Sequence, residues 1–260
     1  MIYIINLPGD VQRRQRMDDL LRPLNLPFEF VEAVRGVELS AKDISVFDQH
    51  QTMKLSPGEI GCILSHVKVW NMICNSDDDF AVILEDDVRL ADGFRDVVAG
   101  LKIDRASTAL YRLETFLASV TTSTKAAQTI DRYRIVAAFS SHGGTAAYAL
   151  NKKTALYLSR IYQAFEHALD IELFAPDRQS TPHVNIFQCI PAPCVQDQIL
   201  GVSAEYLKSG LRGSRADERT GALKEDPWKA WKDVFRPIYL AVYSAGLMLG
   251  AKRRLTIPFG

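Results

Sequence analysis

Residues 80–87, Phe-Ala-Val-Ile-Leu-Glu-Asp-Asp, decide the fold class of this chain of 260 residues. The uninterrupted apolar run 80–84 is typical of a strand that is buried on both faces, as in a parallel sheet. Three acidic residues, Glu85, Asp86 and Asp87, end the run. Since ligands of open α/β sheets bind beyond the carboxyl ends of the strands, this stretch predicts both an α/β fold and the place of its chemistry.

Strand and helix patterns alternate on both sides of this strand. Ser56 to Glu59 form a capping box with Pro57 at the first helical position, and an apolar stripe follows as far as Cys74. Further predicted strands are 1–7, 28–31, 109–113, 135–139, 145–150 and 184–190, and further predicted helices are 10–24 and 152–165. This alternation predicts a layered α/β domain over residues 1–215.

Composition excludes several classes of function. The chain has 31 basic and 31 acidic residues, so no overall field attracts a polyanion, and we expect no nucleic-acid partner. The four cysteines match no common zinc or redox spacing, which favours a reducing, cytoplasmic compartment. No apolar stretch reaches the ~18 to 20 residues of a membrane span.

The acidic triplet is the first candidate site. Adjacent carboxylates repel one another unless a cation neutralises them, and oxygen ligands suit Mg²⁺ or Mn²⁺. Such an ion would carry a diphosphate. The alternative for an acidic triplet is a solvated turn.

The first helix offers a second candidate, an anion site. Its N-terminus presents free N–H groups, and Arg13, Arg14 and Arg16 lie in its first two turns. They would hold a phosphate there, or they form a solvated face.

Glu59, Cys62 and His66 share one side of the helix that begins after Ser56. They form either the lining of a cleft or a zinc site. The structural alternatives are a capping-box role for Glu59 and an ordinary buried role for His66.

Three further features could serve a site or the fold. Arg112 lies in an apolar strand and needs a carboxylate or a substrate phosphate as partner. At residues 143–145, followed by Tyr148, either a ligand approaches the backbone closely or the chain makes a tight turn. Asp170, between two apolar residues, is a candidate base or a solvated helix-end acid.

Together these motifs resemble glycosyltransferase family 25, the lipopolysaccharide and lipooligosaccharide galactosyltransferase group. The resemblance extends from residue 1 to about residue 200. Its strongest blocks are 4–7 with Arg13 and Arg16, 56–62 with 64–66 and Trp70, and 83–88; weaker matches are 111–113, 144–148, 169–170 and 193–196.

The resemblance implies a GT-A-like, Rossmann-type mixed sheet flanked by helices and an inverting, metal-dependent transfer of galactose from UDP-galactose to a lipooligosaccharide or lipopolysaccharide. Glu85 and Asp87 would bind Mn²⁺ or Mg²⁺, Asp86 would face the donor, and Asp170 would be the catalytic base. The other residues expected to bind the donor are Asn6, Leu7, Arg13, Arg16, Glu59, His66, Arg112 and Gln196.

Residues 216–260 lie outside the resemblance and are expected to form a helical tail. Aromatic residues, an apolar run to Leu249 and the basic residues 252–254 predict peripheral contact with the cytoplasmic face of the inner membrane. The alternative is a helix packed on the catalytic domain or in a homodimer. Two other functions stay open: a non-catalytic carbohydrate-binding or scaffold domain, and a sugar-nucleotide nucleotidyltransferase.

Overall fold

The computed structural model describes residues 1–48, 55–140, 142–175, 181–201 and 250–260. Within these ranges the chain forms two sheets flanked by six α-helices. The helices are α1 Val11–Leu21, α2 Ala41–Asp48, α3 Pro57–Asn75, α4 Phe94–Gly100, α5 Lys152–Ile161 and α6 Leu169–Phe174. The strands are β1 Ile2–Asn6, β2 Phe28–Glu32, β3 Phe80–Glu85, β4 Val88–Leu90, β5 Ala109–Arg112, β6 Glu114–Thr115, β7 Ser119–Ile130, β8 Tyr133–Ala138, β9 Ala147–Asn151, β10 Asn185–Ile190, β11 Cys194–Gln196 and β12 Lys252–Thr256.

The larger sheet is mixed, with the strand order β12-β7-β8-β10-β5-β9-β3-β1-β2. β1 pairs in parallel with β2 and β3, and β10 pairs in parallel with β5, whereas the other neighbours are antiparallel. A small sheet of order β4-β11-β6 lies beyond the end of β3. The mixed α/β class expected from the sequence is confirmed.

Successive side chains of β1 and β3 point to opposite faces of the sheet and pack in two separate hydrophobic cores. Tyr3 and Ile83 pack in the cluster that contains α3, whereas Ile4 and Leu84 pack in the cluster that contains α1. All four side chains are at most 3% exposed. The central strands are therefore covered by a helical layer on each face, which explains why the run 80–84 contains no polar residue.

Helix α3 begins at the predicted capping box. Ser56 Oγ accepts the Glu59 N–H at 3.3 Å, and Glu59 Oε2 accepts the Ser56 N–H at 3.0 Å. A Cβ atom on Gly61 would lie 2.7 Å from the Val34 carbonyl oxygen, so the loop after β2 packs against the helix backbone. This contact fixes the start of α3 close to the carboxyl ends of β1 and β2.

The order of the first three strands creates a switch point. The chain passes from β1 through α1 to β2 on one side of β1, and then through α3 to β3 on the other side. The crevice outside the carboxyl ends of β1 and β3 is where open α/β sheets bind ligands. Asn6 ends β1 and Glu85 ends β3, so the candidate residues lie at this crevice.

Besides β12, the sequence patterns did not predict several short or polar elements, namely β4, β6, β7, β11, α2, α4 and α6. β7 is a twelve-residue strand whose second half alternates exposed and half-buried positions and contains two register shifts. Its polar, Thr- and Ser-rich sequence lacks the apolar alternation that predicts a strand. α2 lies in a stretch of weak periodicity. The helices expected over 10–24 and 152–165 end earlier, at Leu21 and Ile161, and continue as short 3₁₀ turns.

The expectation of a helical tail is wrong for its final residues. Lys252–Thr256 form β12, which pairs antiparallel with β7 at the edge of the large sheet. The side chain of Ile257 is fully buried, and its backbone oxygen accepts the Thr115 hydroxyl at 2.7 Å. The basic residues 252–254, which follow the apolar run in the sequence, are therefore part of an edge strand and not of a helix.

Most of the expected tail, residues 216–249, lies outside the described residues. In the part of the chain that is described, no helix has the length and apolar character needed to span a membrane.

Candidate active site

The three acidic residues after β3 point to three different partners. Because successive side chains of a strand alternate, Glu85 follows Ile83 toward α3, whereas Asp86 turns toward α1. Asp87 faces β11 of the small sheet. Adjacent residues of one motif therefore connect three separate elements at the crevice.

Asp86 is held by the end of β1 and by α1. Asn6 Nδ2 donates to Asp86 Oδ2 at 2.8 Å, and the Arg13 guanidinium pairs with Asp86 Oδ1 at 2.8 Å. Burial raises the pKa of Asp86, and these two donors only partly offset that effect. Arg13 also lies 3.3 Å from the carboxylate of Asp10, the residue that caps α1. The Arg13 guanidinium, itself held by Asp10, thus orients the Asp86 carboxylate.

Glu85 reaches the polar side of α3. Thr145 Oγ1 donates to Glu85 Oε1 at 2.8 Å, and His66 Nε2 lies 3.6 Å from the same oxygen. Burial alone would raise the pKa of Glu85, but His66 and the Thr145 hydroxyl outweigh burial and lower it. His66 is 1% exposed, and its Nδ1 lies 2.8 Å from the Tyr148 hydroxyl.

Asp87 is the least compensated of the three carboxylates. Gln196 Nε2 donates to its two oxygens at 3.2 and 3.4 Å, and the residue is 6% exposed. Burial, together with the negative charges of Glu85 and Asp86, raises the pKa of Asp87 to about 7. A carboxylate whose charge is this poorly offset, close to a second ionised carboxylate, is a set of oxygen donors that fits a hard divalent cation.

Beside this cluster, Arg16 is fixed by an ion pair. Its guanidinium contacts Asp197 at 2.6 Å, and Arg89 contacts the other oxygen of Asp197 at 3.0 Å. Asp197 is fully buried and its N–H donates to the Asp87 carbonyl at 3.0 Å. Asp197 is therefore a functional candidate that the sequence analysis missed, although it directly follows Gln196.

Arg112 finds its partners inside the protein. Its guanidinium donates to the carbonyl oxygens of His142, Gly143 and Gly144, and it lies 4.1 Å from the centre of the Phe174 ring. Burial lowers the pKa of Arg112 to about 10. Of the two partners that the sequence left open, the structure provides protein groups, and Arg112 shapes the 142–144 loop.

Glu114 is the buried acidic neighbour of Arg112. Its Oε1 lies 3.8 Å from Arg112 Nε and accepts the Ala146 N–H at 2.9 Å. Burial raises the pKa of Glu114 to about 8, against the opposing effect of Arg112. No sequence pattern distinguished this buried glutamate from a surface residue.

Asp170 lies against the same loop. The Gly144 N–H donates to Asp170 Oδ2 at 3.1 Å, and the Ile171 N–H donates to Oδ1 at 3.0 Å. Gly144 has φ +93°, and a Cβ atom there would lie 2.4 Å from the Phe116 ring, so glycine is required. Since Thr145 contacts Glu85, two adjacent residues connect Asp170 to the acidic cluster.

The remaining predicted residues are spread more widely. Leu7 is 39% exposed just beyond β1. The Glu59 carboxylate is engaged in the capping box, so the suggested zinc set of Glu59, Cys62 and His66 is not assembled. Instead, the sulfur of Cys62, a nitrogen of His66 and an oxygen of Glu85 lie within 4.8 Å of one another.

The matches with known proteins include three that illustrate their range. The lipooligosaccharide biosynthesis protein lic2B of Haemophilus influenzae is 28% identical over 223 residues, covering 82% of this chain and 82% of that protein. Procollagen galactosyltransferase 1-B of Xenopus laevis is 32% identical over 97 residues, which cover 34% of this chain and 16% of that protein. A solved glycosyltransferase involved in glycosylation of the PBCV-1 major capsid aligns over 63% of this chain and 65% of its own, with TM-score 0.31 and 10% identity.

A family profile identifies the chain more directly. The profile described as glycosyltransferase family 25 (LPS biosynthesis protein) matches residues 1–173, which include β1, α3, the acidic triplet and Asp170. The resemblance found in the sequence motifs is thereby confirmed, and the chain belongs to glycosyltransferase family 25.

Proposed function

We propose that this glycosyltransferase moves galactose from UDP-galactose to a lipooligosaccharide or lipopolysaccharide acceptor, with inversion at the anomeric carbon. The family description names LPS biosynthesis, and two relatives are named for lipooligosaccharide biosynthesis and for galactosyl transfer. The observation that carries the proposal is the acidic triplet at the switch point, with an under-compensated Asp87.

Glu85 and Asp87 are the proposed ligands of Mn²⁺ or Mg²⁺. Thr145 orients Glu85 and Gln196 orients Asp87, as outer contacts of metal ligands commonly do. A bound divalent cation supplies positive charge against the charge that develops on a departing diphosphate.

The nucleotide end of the donor is assigned to the end of β1 and the start of α1. Asn6 and Arg13 each donate to one oxygen of Asp86, which leaves lone pairs on both oxygens to accept hydrogen bonds from ribose hydroxyls. Leu7 is exposed beside them and offers an apolar contact. Arg16, held by Asp197, places a positive charge at the same entrance.

Asp170 is the proposed base. Its two hydrogen bonds from backbone N–H groups hold the carboxylate in place. In the transfer step the acceptor hydroxyl oxygen forms a bond to the anomeric carbon, the bond from that carbon to the phosphate oxygen breaks, and UDP leaves with the electron pair. The acceptor proton passes to Asp170.

The acceptor is proposed to be lipid-linked, so we place the reaction at the cytoplasmic face of the inner membrane. The family description, which names LPS biosynthesis, supports this placement.

The test is UDP release from a panel of UDP-sugars, with Mn²⁺ or Mg²⁺ and with a chelator, in the presence of lipooligosaccharide. We expect metal-dependent release from UDP-galactose, reduced at least about 10²-fold in Asp87→Asn. Asp92→Asn, an exposed acid nearby, is the matched control and keeps the wild-type rate.

Two outcomes would contradict the proposal. Saccharide binding without turnover on any donor would favour a non-catalytic carbohydrate-binding domain. Equal rates for Asp87→Asn and the intact protein would remove the acidic triplet from the mechanism.

A further inference from the structure

Cys62, His66 and Glu85 form a cluster that the transfer mechanism does not fully use. Cys62 and His66 are separated by one helical turn on α3, and Glu85 approaches them from the end of β3. One ligand atom from each residue lies within 4.8 Å of the other two. The cluster thus combines a sulfur, a nitrogen and an oxygen donor from two rigid elements.

The spacing of two of these atoms suits a shared ion. His66 Nε2 and Glu85 Oε1 are 3.6 Å apart, which exceeds the length of a hydrogen bond. Two ligands at about 2.0–2.2 Å from a tetrahedral zinc ion are separated by about 3.3–3.6 Å. The pair is therefore spaced as neighbouring ligands of one metal ion would be.

Outer contacts already orient two of the three ligands. The Tyr148 hydroxyl lies 2.8 Å from His66 Nδ1, and the same hydroxyl accepts the Trp70 Nε1–H at 3.0 Å. With an ion bound, His66 would donate from Nδ1 to Tyr148, so that the Nε2 lone pair faces the ion between His66 and Glu85. Thr145 fixes Glu85 Oε1 at 2.8 Å. This is the arrangement by which proteins orient a metal-binding histidine and carboxylate.

We propose that Cys62, His66 and Glu85 form a binding site for Zn²⁺ or a similar borderline-soft ion, with a fourth position open to solvent. Thiolate and imidazole ligands favour such ions over Mg²⁺ and Mn²⁺, which take oxygen ligands. Cys62 is half-buried and the Glu85 side chain is 26% exposed, so an ion can reach the cluster from the crevice.

The shared residue gives this site a regulatory consequence. Glu85 is also the proposed ligand of the hard cation, and a carboxylate held against His66 and Cys62 by zinc is withdrawn from Asp87. Zn²⁺ is therefore expected to inhibit transfer, and raising Mn²⁺ is expected to relieve the inhibition. This second consequence rests on the proposed function, whereas zinc binding itself does not.

The binding test is a titration of the full, metal-free chain with Co²⁺ as a spectroscopic probe, followed by displacement with Zn²⁺. We expect a near-ultraviolet thiolate-to-cobalt band and visible bands of a four-coordinate ion, with one equivalent bound. Cys62→Ser is expected to abolish the thiolate band. Cys74→Ser, on the same helix and also half-buried, is the matched control and is expected to keep it.

The Tyr148→Phe variant tests the orientation of His66 separately from metal binding by the three ligands. The variant keeps all three ligands and the ring packing but loses the hydroxyl, so we expect the thiolate band to persist with roughly 10- to 100-fold weaker zinc affinity. Circular dichroism melting checks that each variant is folded.

The outcomes distinguish the site from the transferase assignment. Absence of a thiolate band in the folded protein, or an unchanged band in Cys62→Ser, would overturn the zinc site whatever the enzyme does. If Co²⁺ and Zn²⁺ bind as expected while no donor is turned over, the site stands and the transfer proposal fails. If transfer proceeds but Zn²⁺ leaves it unaffected, the regulatory consequence is wrong.

Discussion

At the scale of single residues, the acidic triplet shows how neighbouring carboxylates acquire different electrostatic properties. Glu85 has His66 and a hydroxyl donor beside it, and its pKa is lowered. Asp87 has an amide donor and two negative neighbours, and its pKa is raised to about 7. The charged form of Asp87 therefore destabilises the metal-free fold, which is the exchange of stability for function expected at a binding site.

We predict that Asp87→Asn stabilises the metal-free protein at about pH 8 and has little effect near pH 4. The pKa of this carboxyl rises from 3.8 in the unfolded chain to about 7 in the folded protein. Its contribution to the free energy of unfolding is therefore fully present at pH values below 3.8 and is lost as the pH rises through about 7. Urea unfolding with chelator across this range measures the free energy. A difference between variant and wild type that is independent of pH would contradict the assignment, and Asp92→Asn supplies the reference.

Arg112→Lys is predicted to lower the free energy of unfolding by about 2–3 kcal/mol, because lysine keeps the charge but lacks the planar fork of donors that spans the carbonyls of the 142–144 loop. Denaturant unfolding provides the value. The exposed Arg105→Lys is expected to change it by less than about 0.5 kcal/mol. Equal effects of both substitutions would show that the loop contacts add no stability.

At the scale of elements, α3 serves the core and the candidate site together. Ile60, Ile63 and Trp70 are fully buried in the core, whereas His66 contacts Glu85 and Ser65 accepts the Val34 N–H at 2.8 Å. The start of the helix is fixed by its capping box. A shift at this end would move the loop after β2 and the polar side of the helix together.

Ser56→Ala is predicted to cost about 1 kcal/mol of stability, since it removes the acceptor for the Glu59 N–H. Ser56→Thr retains a hydroxyl that can accept the Glu59 N–H and donate to the Glu59 carboxylate, so it is expected to remain close to wild type. Thermal and urea unfolding of the two variants give the comparison. Equal destabilisation by alanine and threonine would mean that the cap contributes through the packing of Ser56 rather than through the hydrogen bond.

Local patterns predicted α3, β1 and β3 well, because a capping box and continuous apolar runs are physical signals within one segment. They also placed Glu85 and Asp86 at the crevice. They could not identify Gln196 and Asp197 as neighbours of Asp87 and Arg16, because those contacts depend on how β11 folds back onto β4. For the same reason the partners of Arg112 stayed open until the fold was known.

At the scale of the whole molecule, the C-terminal residues complete the large sheet. β12 covers the edge of β7, and backbone hydrogen bonds join Ile257 to Ala118 and Gly260 to Ala192. The basic character of 252–254 was compatible with a membrane-facing segment in the sequence. Long-range pairing overrode the helical expectation for these residues, since an edge strand accepts charged residues on its exposed positions, and membrane contact of the tail stays a prediction.

Ile257→Ala is predicted to destabilise the protein by about 2–4 kcal/mol, because it opens a cavity at a fully buried position. Urea unfolding of the full chain, monitored by fluorescence and circular dichroism, measures the loss. Thr256→Ala, at the exposed neighbouring position, is expected to cost less than about 0.5 kcal/mol. If both substitutions are neutral, the C-terminal residues do not belong to the cooperative unit.

The alternation of β3 has a consequence for insertions and deletions. A shift of one residue along this strand would turn Asp86 toward His66 and Glu85 toward Arg13, and it would also exchange the faces of Ile83 and Leu84. The strand register that places each carboxylate beside its partner is thus the same register that buries the central strand. Any length change in β3 that survives must come in pairs of residues, so the hydrophobic core protects the geometry of the site.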